Sequence, residues 1–268
     1  MVCACFLTLI LSTPAADLPP LRETLAEIDK IAQLYGSEAL SFTSDETVVL
    51  KSGGRTQTHR FRHIYTIDPF GKHTELREPL KRRHDPAAPA NTNPYLWIFL
   101  FESGRRAYMH FEWVGIETRL EREALGIAFR PRGEIFPQVN DWYGVAWFDR
   151  ETFRPLVFEA WVPREYERKL ELDRRLAEAA AAAEPSRSEH VITSFRTEFG
   201  EERNGLRLPT RVTMREQRFT VWGKDGSSGY RERTLSSVKQ LYTNYRFYSV
   251  DTDQTIGGVT VDQGSRNN

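Results

Sequence analysis

The six histidines are the side chains best suited to acid–base or metal chemistry here, and their spacing limits what each can do. His59 and His63 lie four apart in "THRFRHIY". That spacing suits one metal ion on a helix, but on a strand it spans roughly 13 Å, too wide for shared coordination. The stretch alternates as a strand does, so no metal site is assigned. His110 and Glu112 share a face of "YMHFE", about 7 Å apart along the strand, which is loose for a catalytic dyad. His73, His84 and His190 have no acidic or histidine neighbour at ligand spacing that sets them apart. Asp149, Glu151 and Glu159 are carboxylates of the kind hydrolysis uses, yet nothing singles them out. "DGSSG" (225–229) lies in a Gly-rich turn rather than a strand-to-helix nucleophile elbow. No phosphate-cradling glycine pattern is present. Catalytic, cofactor-binding and metal residues are therefore all assigned none, no cofactor is expected, ligand-binding residues stay unknown, and a hydrolase is the least supported reading.

Charge narrows the partners. Lys+Arg and Asp+Glu both number 37, for a formal net charge of zero. Nucleic-acid binders neutralise phosphates with a basic surface, so no nucleic-acid partner is expected. Lys81, Arg82 and Arg83 form a basic run inside the Pro-rich stretch 79–94. It reads as a solvated loop, with a partner or an anionic membrane as the alternative contact.

The first residues, "MVCACFLTLILSTPAA", carry no charge and hold both cysteines, Cys3 and Cys5. The apolar run is about half of the ~20 residues a membrane-spanning helix requires, and small residues follow it. Residues 1–16 are expected to be a signal peptide, which makes the chain periplasmic or secreted. The mature chain then has no cysteine and no transmembrane segment, so its fold stands on its core alone.

The remaining elements follow from periodicity. Leu21, Leu25, Ile28, Ala32 and Tyr35 form one apolar stripe, which predicts a helix over 21–35 after Pro19 and Pro20. Two strands (39–51 and 56–68) joined by "SGGR" predict a hairpin. "HTELREPL" adds a short strand. "NPYLWIFLFESG" (93–104) reads as a short buried helix capped by Asn93 and ended by Gly104, with a buried strand as the alternative. Further strands are expected over 106–115 and 124–133, and as the hairpin 143–161 around "DRET". Residues 164–183 predict an inserted, highly charged, solvent-facing helix with a thin stripe of Tyr166, Leu170, Leu172 and Leu176. Strands resume over 190–200, 206–222 and 238–250, and 251–268 is expected to be a flexible tail. Tight turns imply antiparallel pairing, and a large antiparallel sheet curls. The fold class is thus mainly β (α+β): a large curved antiparallel sheet as one domain over 17–250, with 164–183 as the inserted helix. The first helix and the short helix cover its concave face.

Aromatic residues crowd the strands: Trp97, Trp113, Trp142, Trp147, Trp161 and Trp222, with many Phe and Tyr. They are either ordinary core or the lining of an apolar groove. In "VKQLYTNYRFYSV" (238–250) a period of two puts Leu241, Thr243, Tyr245 and Phe247 on one face and Tyr242, Asn244, Arg246 and Tyr248 on the other. Both faces then carry rings.

The N-terminal amphipathic helix, the run of antiparallel strands and the terminal "LYTNYRFYSV" strand resemble the periplasmic lipoprotein-sorting carriers, LolA and LolB, and exported bacterial proteins of this layout. "YGVAWFDRETFRPLVFEAW" is similar to that family's central hairpin, with a D-x-x-T turn, and "GLRLPTRVTM" to a later Gly-x-x-x-Pro strand. The resemblance is one of order over roughly residues 20–250. It implies an unclosed barrel with a helical lid and a concave face for acyl chains or apolar peptides. The expected function is then a non-enzymatic carrier or sensor of a lipid, acyl chain or lipoprotein. An envelope protein–protein interaction module, docking through a sheet edge or the charged helix, is the alternative. The 164–183 helix and the 79–94 loop depart from the family pattern. The carriers' acyl-binding arginine aligns to no single Arg here, so no site residue is carried over.

Overall fold

The computed structural model describes residues 18–37, 41–67, 73–80, 95, 97–132, 142–181, 186–203, 205–224 and 227–248. The expected signal peptide, most of the basic Pro-rich loop and the expected tail lie outside them.

Helix α1 (Leu21–Ser37) opens the fold. Strands β1 (Ser41–Ser52), β2 (Arg55–Ile67) and β3 (His73–Pro79) follow. A short 3-10 helix (Ile98–Phe101) and the one-turn helix α2 (Ser103–Arg106) lead to β4 (Met109–Arg119) and β5 (Arg122–Pro131). Strands β6 (Tyr143–Asp149) and β7 (Pro155–Trp161) precede helix α3 (Pro163–Ala181). The chain closes with β8 (Ser186–Glu198), β9 (Glu201–Arg203), β10 (Leu206–Leu208), β11 (Arg211–Lys224) and β12 (Ser227–Tyr248). Ten strands form one antiparallel sheet in the order β3-β2-β1-β12-β11-β8-β7-β6-β5-β4, while β9 and β10 pair separately. The end strands β3 and β4 do not pair with each other, so the barrel is unclosed.

One core explains the curvature. It joins α1, the 3-10 segment and inward side chains from both ends of the sheet. Leu25, Ile28, Ala32 and Tyr35 of α1 are all buried in it, as the helical period requires. Tyr95 and the segment Trp97–Phe101 fill the hollow. Tyr95 packs on Phe42 and Tyr65 of β1 and β2, at ring distances of 6.0 and 4.9 Å. Trp97 meets Trp142 and Phe158, and Phe101 meets Phe111, Phe129, Phe148 and Phe158. The concave face is thus occupied by the protein's own rings, each worth about 1.5–3 kcal/mol of burial. The plain-core reading holds for Trp97 and Trp142, whereas Trp147 and Trp161 pack in separate clusters and Trp222 is exposed.

Four expectations are corrected. In β12 a bulge places Ser44 of β1 opposite an extra residue, between the pairs Asp45–Thr243 and Thr43–Arg246. Asn244 takes a left-handed φ of 57° there. The strand therefore changes face, and Tyr242 and Tyr245, three apart, are both buried on the concave side. Tyr242, Tyr245 and Phe247 thus share the core side, which an unbroken period of two does not give.

The inserted helix is not simply solvent-facing. Leu172 and Ala179 are buried against Ile192 and Val221, with Trp161, Leu176 and Phe219 beside them. Ile192 and Trp161 alternate with the core residues Phe195 and Phe158, so α3 covers the convex face. Leu170, assigned to the stripe from the sequence, is 49% exposed.

Of the expected 93–104 helix, Asn93 lies outside the described residues, Ile98–Phe101 form a buried 3-10 turn, and Gly104 lies inside α2 rather than ending a helix. The stop is Glu102, whose extended ψ of 144° breaks the turn. Finally, 206–222 is not one strand: Pro209 separates β10 from β11.

Candidate functional site

Two places gather chemistry. The first lies at the mouth of the hollow, where the lid meets the sheet edge. Residues Leu21, Arg22 and Leu25 of α1, Ser103 and Arg106 of α2 with Ala107, His110 and Phe111 of β4, and Arg132 after β5 line a cleft of about 640 Å³. Its floor is apolar and continuous with the core, since Leu25 and Phe111 are core members and Leu21 packs against them. Its rim is basic. Arg106 Nη1 donates to the Leu25 carbonyl at 2.7 Å, which ties α2 to α1. Arg132 Nε donates to the Met109 carbonyl at 2.6 Å, while its backbone N–H donates to Tyr108. Asp29 Oδ1 accepts the Ser103 N–H at 2.9 Å and closes the lid's second link. Among the described residues, Arg22, Arg106 and Arg132 form no ion pair.

His110 reports a further correction. Its Nε2 meets Glu112 Oε1 at 2.6 Å. Both side chains lean along the strand, which closes the gap that backbone spacing alone leaves. Both are exposed, and the hydrogen bond from His110 holds the Glu112 carboxyl below its usual range. Burial pushes the neighbouring Glu102 carboxyl up, opposed by Arg105 and reinforced by Asp29.

The second place is a polar cluster on the concave face of β1, β2, β3 and β12. Ser44 Oγ and His63 Nδ1 are 3.2 Å apart, and His63 Nε2 meets Glu75 Oε1 at 2.7 Å. Arg77 and Gln240 both donate to Glu46 Oε1, at 2.6 and 3.1 Å. Spacing in the sequence hides this serine–histidine–carboxylate row, because its members come from three strands. The signal was available in the two-residue turn at Gly53 and Gly54, which sets Ser44 opposite His63. The row does not have the surroundings that acyl transfer requires. Ser44 and His63 are 2% and 1% exposed. Strand β1 is paired on both edges, by β2 and β12, so its N–H groups are committed to ladders rather than to an oxyanion. The cluster pairs Ser44, the His63 ring and Glu46 Oε1, while Glu46 Oε2 and Arg77 Nε stay buried without a hydrogen-bond partner. His59 shares its strand face but lies on Phe61, at 6.5 Å between rings.

The other sequence candidates stay apart. Asp149 accepts the Glu151 and Thr152 N–H groups at 3.1 and 2.9 Å and builds the β6–β7 turn, which is the physical content of the D-x-x-T pattern. Glu159 pairs with Arg196 across β7 and β8. His190 meets Ser188 at 3.1 Å. Among the described residues no group of three or more His, Cys, Asp or Glu is placed to hold a metal ion. No helix among them is long and apolar enough to cross a membrane.

No family model matches the sequence, and no curated protein matches it. Several solved structures are similar to the chain at low identity. A domain assigned as an outer membrane lipoprotein-sorting protein, from Vibrio parahaemolyticus, is 11% identical with a TM-score of 0.46, covering 85% of this chain and 94% of that one. A DUF1329 family protein from Desulfovibrio piger is 11% identical with a TM-score of 0.45, covering 86% and 94%. A LolA superfamily protein from Nitrosomonas europaea is 10% identical with a TM-score of 0.38, covering 87% and 96%.

Proposed function

We propose that this chain is an exported, periplasmic, non-enzymatic binding protein that takes an apolar ligand, such as a lipid or an acyl chain, between its helical lid and its curved sheet. The observation that carries this reading is the cleft beside the lid. It opens directly onto the aromatic core, and its volume of about 640 Å³ lies within the ~300–1,000 Å³ of small-ligand sites. The lid rests on the core through apolar contacts, with polar ties at Tyr35, Asp29 and Arg106. Apolar contacts are non-directional, so an acyl chain substitutes for the lid's rings at little cost in geometry.

The test is titration of the purified protein with a fluorescent fatty-acid probe, together with mass spectrometry of lipid extracted from it. Saturable uptake at micromolar probe, or a co-purified lipid in stoichiometric amount, is expected. Probe fluorescence that rises linearly without saturation, with no lipid in the extract, removes the reading.

A further inference from the structure

The cleft has a polar character that an apolar ligand alone does not use. We infer that its arginines bind the anionic headgroup, a carboxylate or a phosphate, of an amphiphile whose tail lies on Leu21, Leu25 and Phe111. This deepens the apolar-ligand reading above and rests on it.

Arg22, Arg106 and Arg132 come from three separate elements and converge on one cleft. Two are held in place through bonds to backbone carbonyls rather than to carboxylates. Arg132 spends its Nε on Met109, which leaves both Nη groups without an acceptor among the described residues. A planar guanidinium with free Nη donors is the group that recognises carboxylate or phosphate as a fork.

The acids nearby form no ion pair with these arginines among the described residues. Glu112 is engaged by His110 at 2.6 Å and by Arg130 at 3.6 Å. Asp29 is engaged by the Ser103 N–H and by Gln33. Three like charges that line one cleft repel, and an anion bound among them reduces that repulsion. The apolar floor immediately below sets the ligand's shape: charge at the rim, hydrocarbon inside.

The experiment compares a dansyl-labelled fatty acid with its methyl ester, which keeps the tail and loses the charge. Unlabelled lysophosphatidic acid and inorganic phosphate serve as competitors. The proteins are the wild type, Arg22→Gln, and the double variant Arg106→Gln with Arg132→Gln. The acid is expected to bind wild type on the order of tenfold tighter than the ester. Lysophosphatidic acid displaces it, and inorganic phosphate at equal concentration does not. The acid-to-ester ratio falls toward one in both variants. Arg22 is exposed and bonds nothing else among the described residues, so its variant folds as the wild type does. Equal affinity for acid and ester, or a ratio unchanged by the substitutions, overturns this inference and leaves the apolar-ligand reading standing. Displacement by inorganic phosphate as effective as by the lysophospholipid overturns the amphiphile and points to a free anion. Failure of both probes to bind overturns both readings.

Discussion

The Tyr35 hydroxyl donates to the backbone carbonyl of Arg207 at 2.5 Å and accepts from the same residue's N–H at 3.0 Å, across 172 residues of chain. This pair of hydrogen bonds latches the end of α1 onto β10, and burial raises the phenol's pKa, which keeps the donor protonated. Tyr35→Phe removes both bonds and leaves two backbone groups buried without partners. Loss of about 1–3 kcal/mol is expected, measured by urea unfolding. If the lid is the ligand's gate, association of a fatty-acid probe also becomes faster in stopped flow.

Asn244 donates from Nδ2 to Asp45 Oδ2 at 2.7 Å, at the residue whose left-handed φ turns Tyr245 inward. Asn244→Gly keeps that backbone conformation available and is expected to change stability by less than about 1 kcal/mol. Asn244→Val disfavours it and is expected to cost about 1–3 kcal/mol, read as a shift in the denaturation midpoint. Equal effects of the two substitutions would mean that the bulge is not held by this residue.

The Glu46 side chain is 0% exposed and depends on Arg77, itself 14% exposed, for its charge partner. Arg77→Met strands a carboxylate beside Tyr242 and Gln240. A loss of about 3–5 kcal/mol is expected at neutral pH. The double variant Glu46→Gln with Arg77→Met is expected to recover a large part of it, which a double-mutant cycle measures.

Burial acts to raise the Asp149 carboxyl, but the Arg122 guanidinium and the Thr152 and Glu151 donors outweigh it and hold the pKa below its ordinary 3.8. A depressed folded-state pKa contributes stability that is present above the unfolded value and is lost as pH falls through the folded one. Stability is therefore expected to drop as pH falls below about 4. In Asp149→Asn the acid-induced drop is shallower and the neutral-pH stability lower, by about 1–2 kcal/mol, in unfolding curves taken across this range.

Gly223 lets α3 touch the convex face, since a Cβ there would lie 2.1 Å from the Ala179 carbonyl oxygen. Gly223→Ala is expected to lift the end of α3 while leaving the sheet intact. Hydrogen exchange should show lost protection over 172–181 and unchanged protection in β5–β7. Uniform loss across the chain would show instead that α3 and the sheet unfold as one unit.

The sequence by itself determined most of the local elements and the tight hairpins. The apolar stripe from Leu21 to Tyr35 makes one helix because its side chains recur at helical spacing. The turn at Gly53 and Gly54 and the Asx turn at Asp149 fix hairpins through backbone chemistry within a few residues. Those hairpins point to antiparallel pairing, and a large antiparallel sheet curls. Tertiary structure decided what a local period cannot carry. The bulge at Asn244 appears only when β12 is laid against β1, because an unpaired strand has no register to break. The face that α3 covers depends on Trp161, Ile192 and Val221, brought together from three strands. The Ser44–His63–Glu75 row and the arginine cleft likewise join residues that no spacing rule links. Distance along the chain governs conformational entropy and turn geometry, whereas contact between distant side chains exists only once the sheet has curled around its lid.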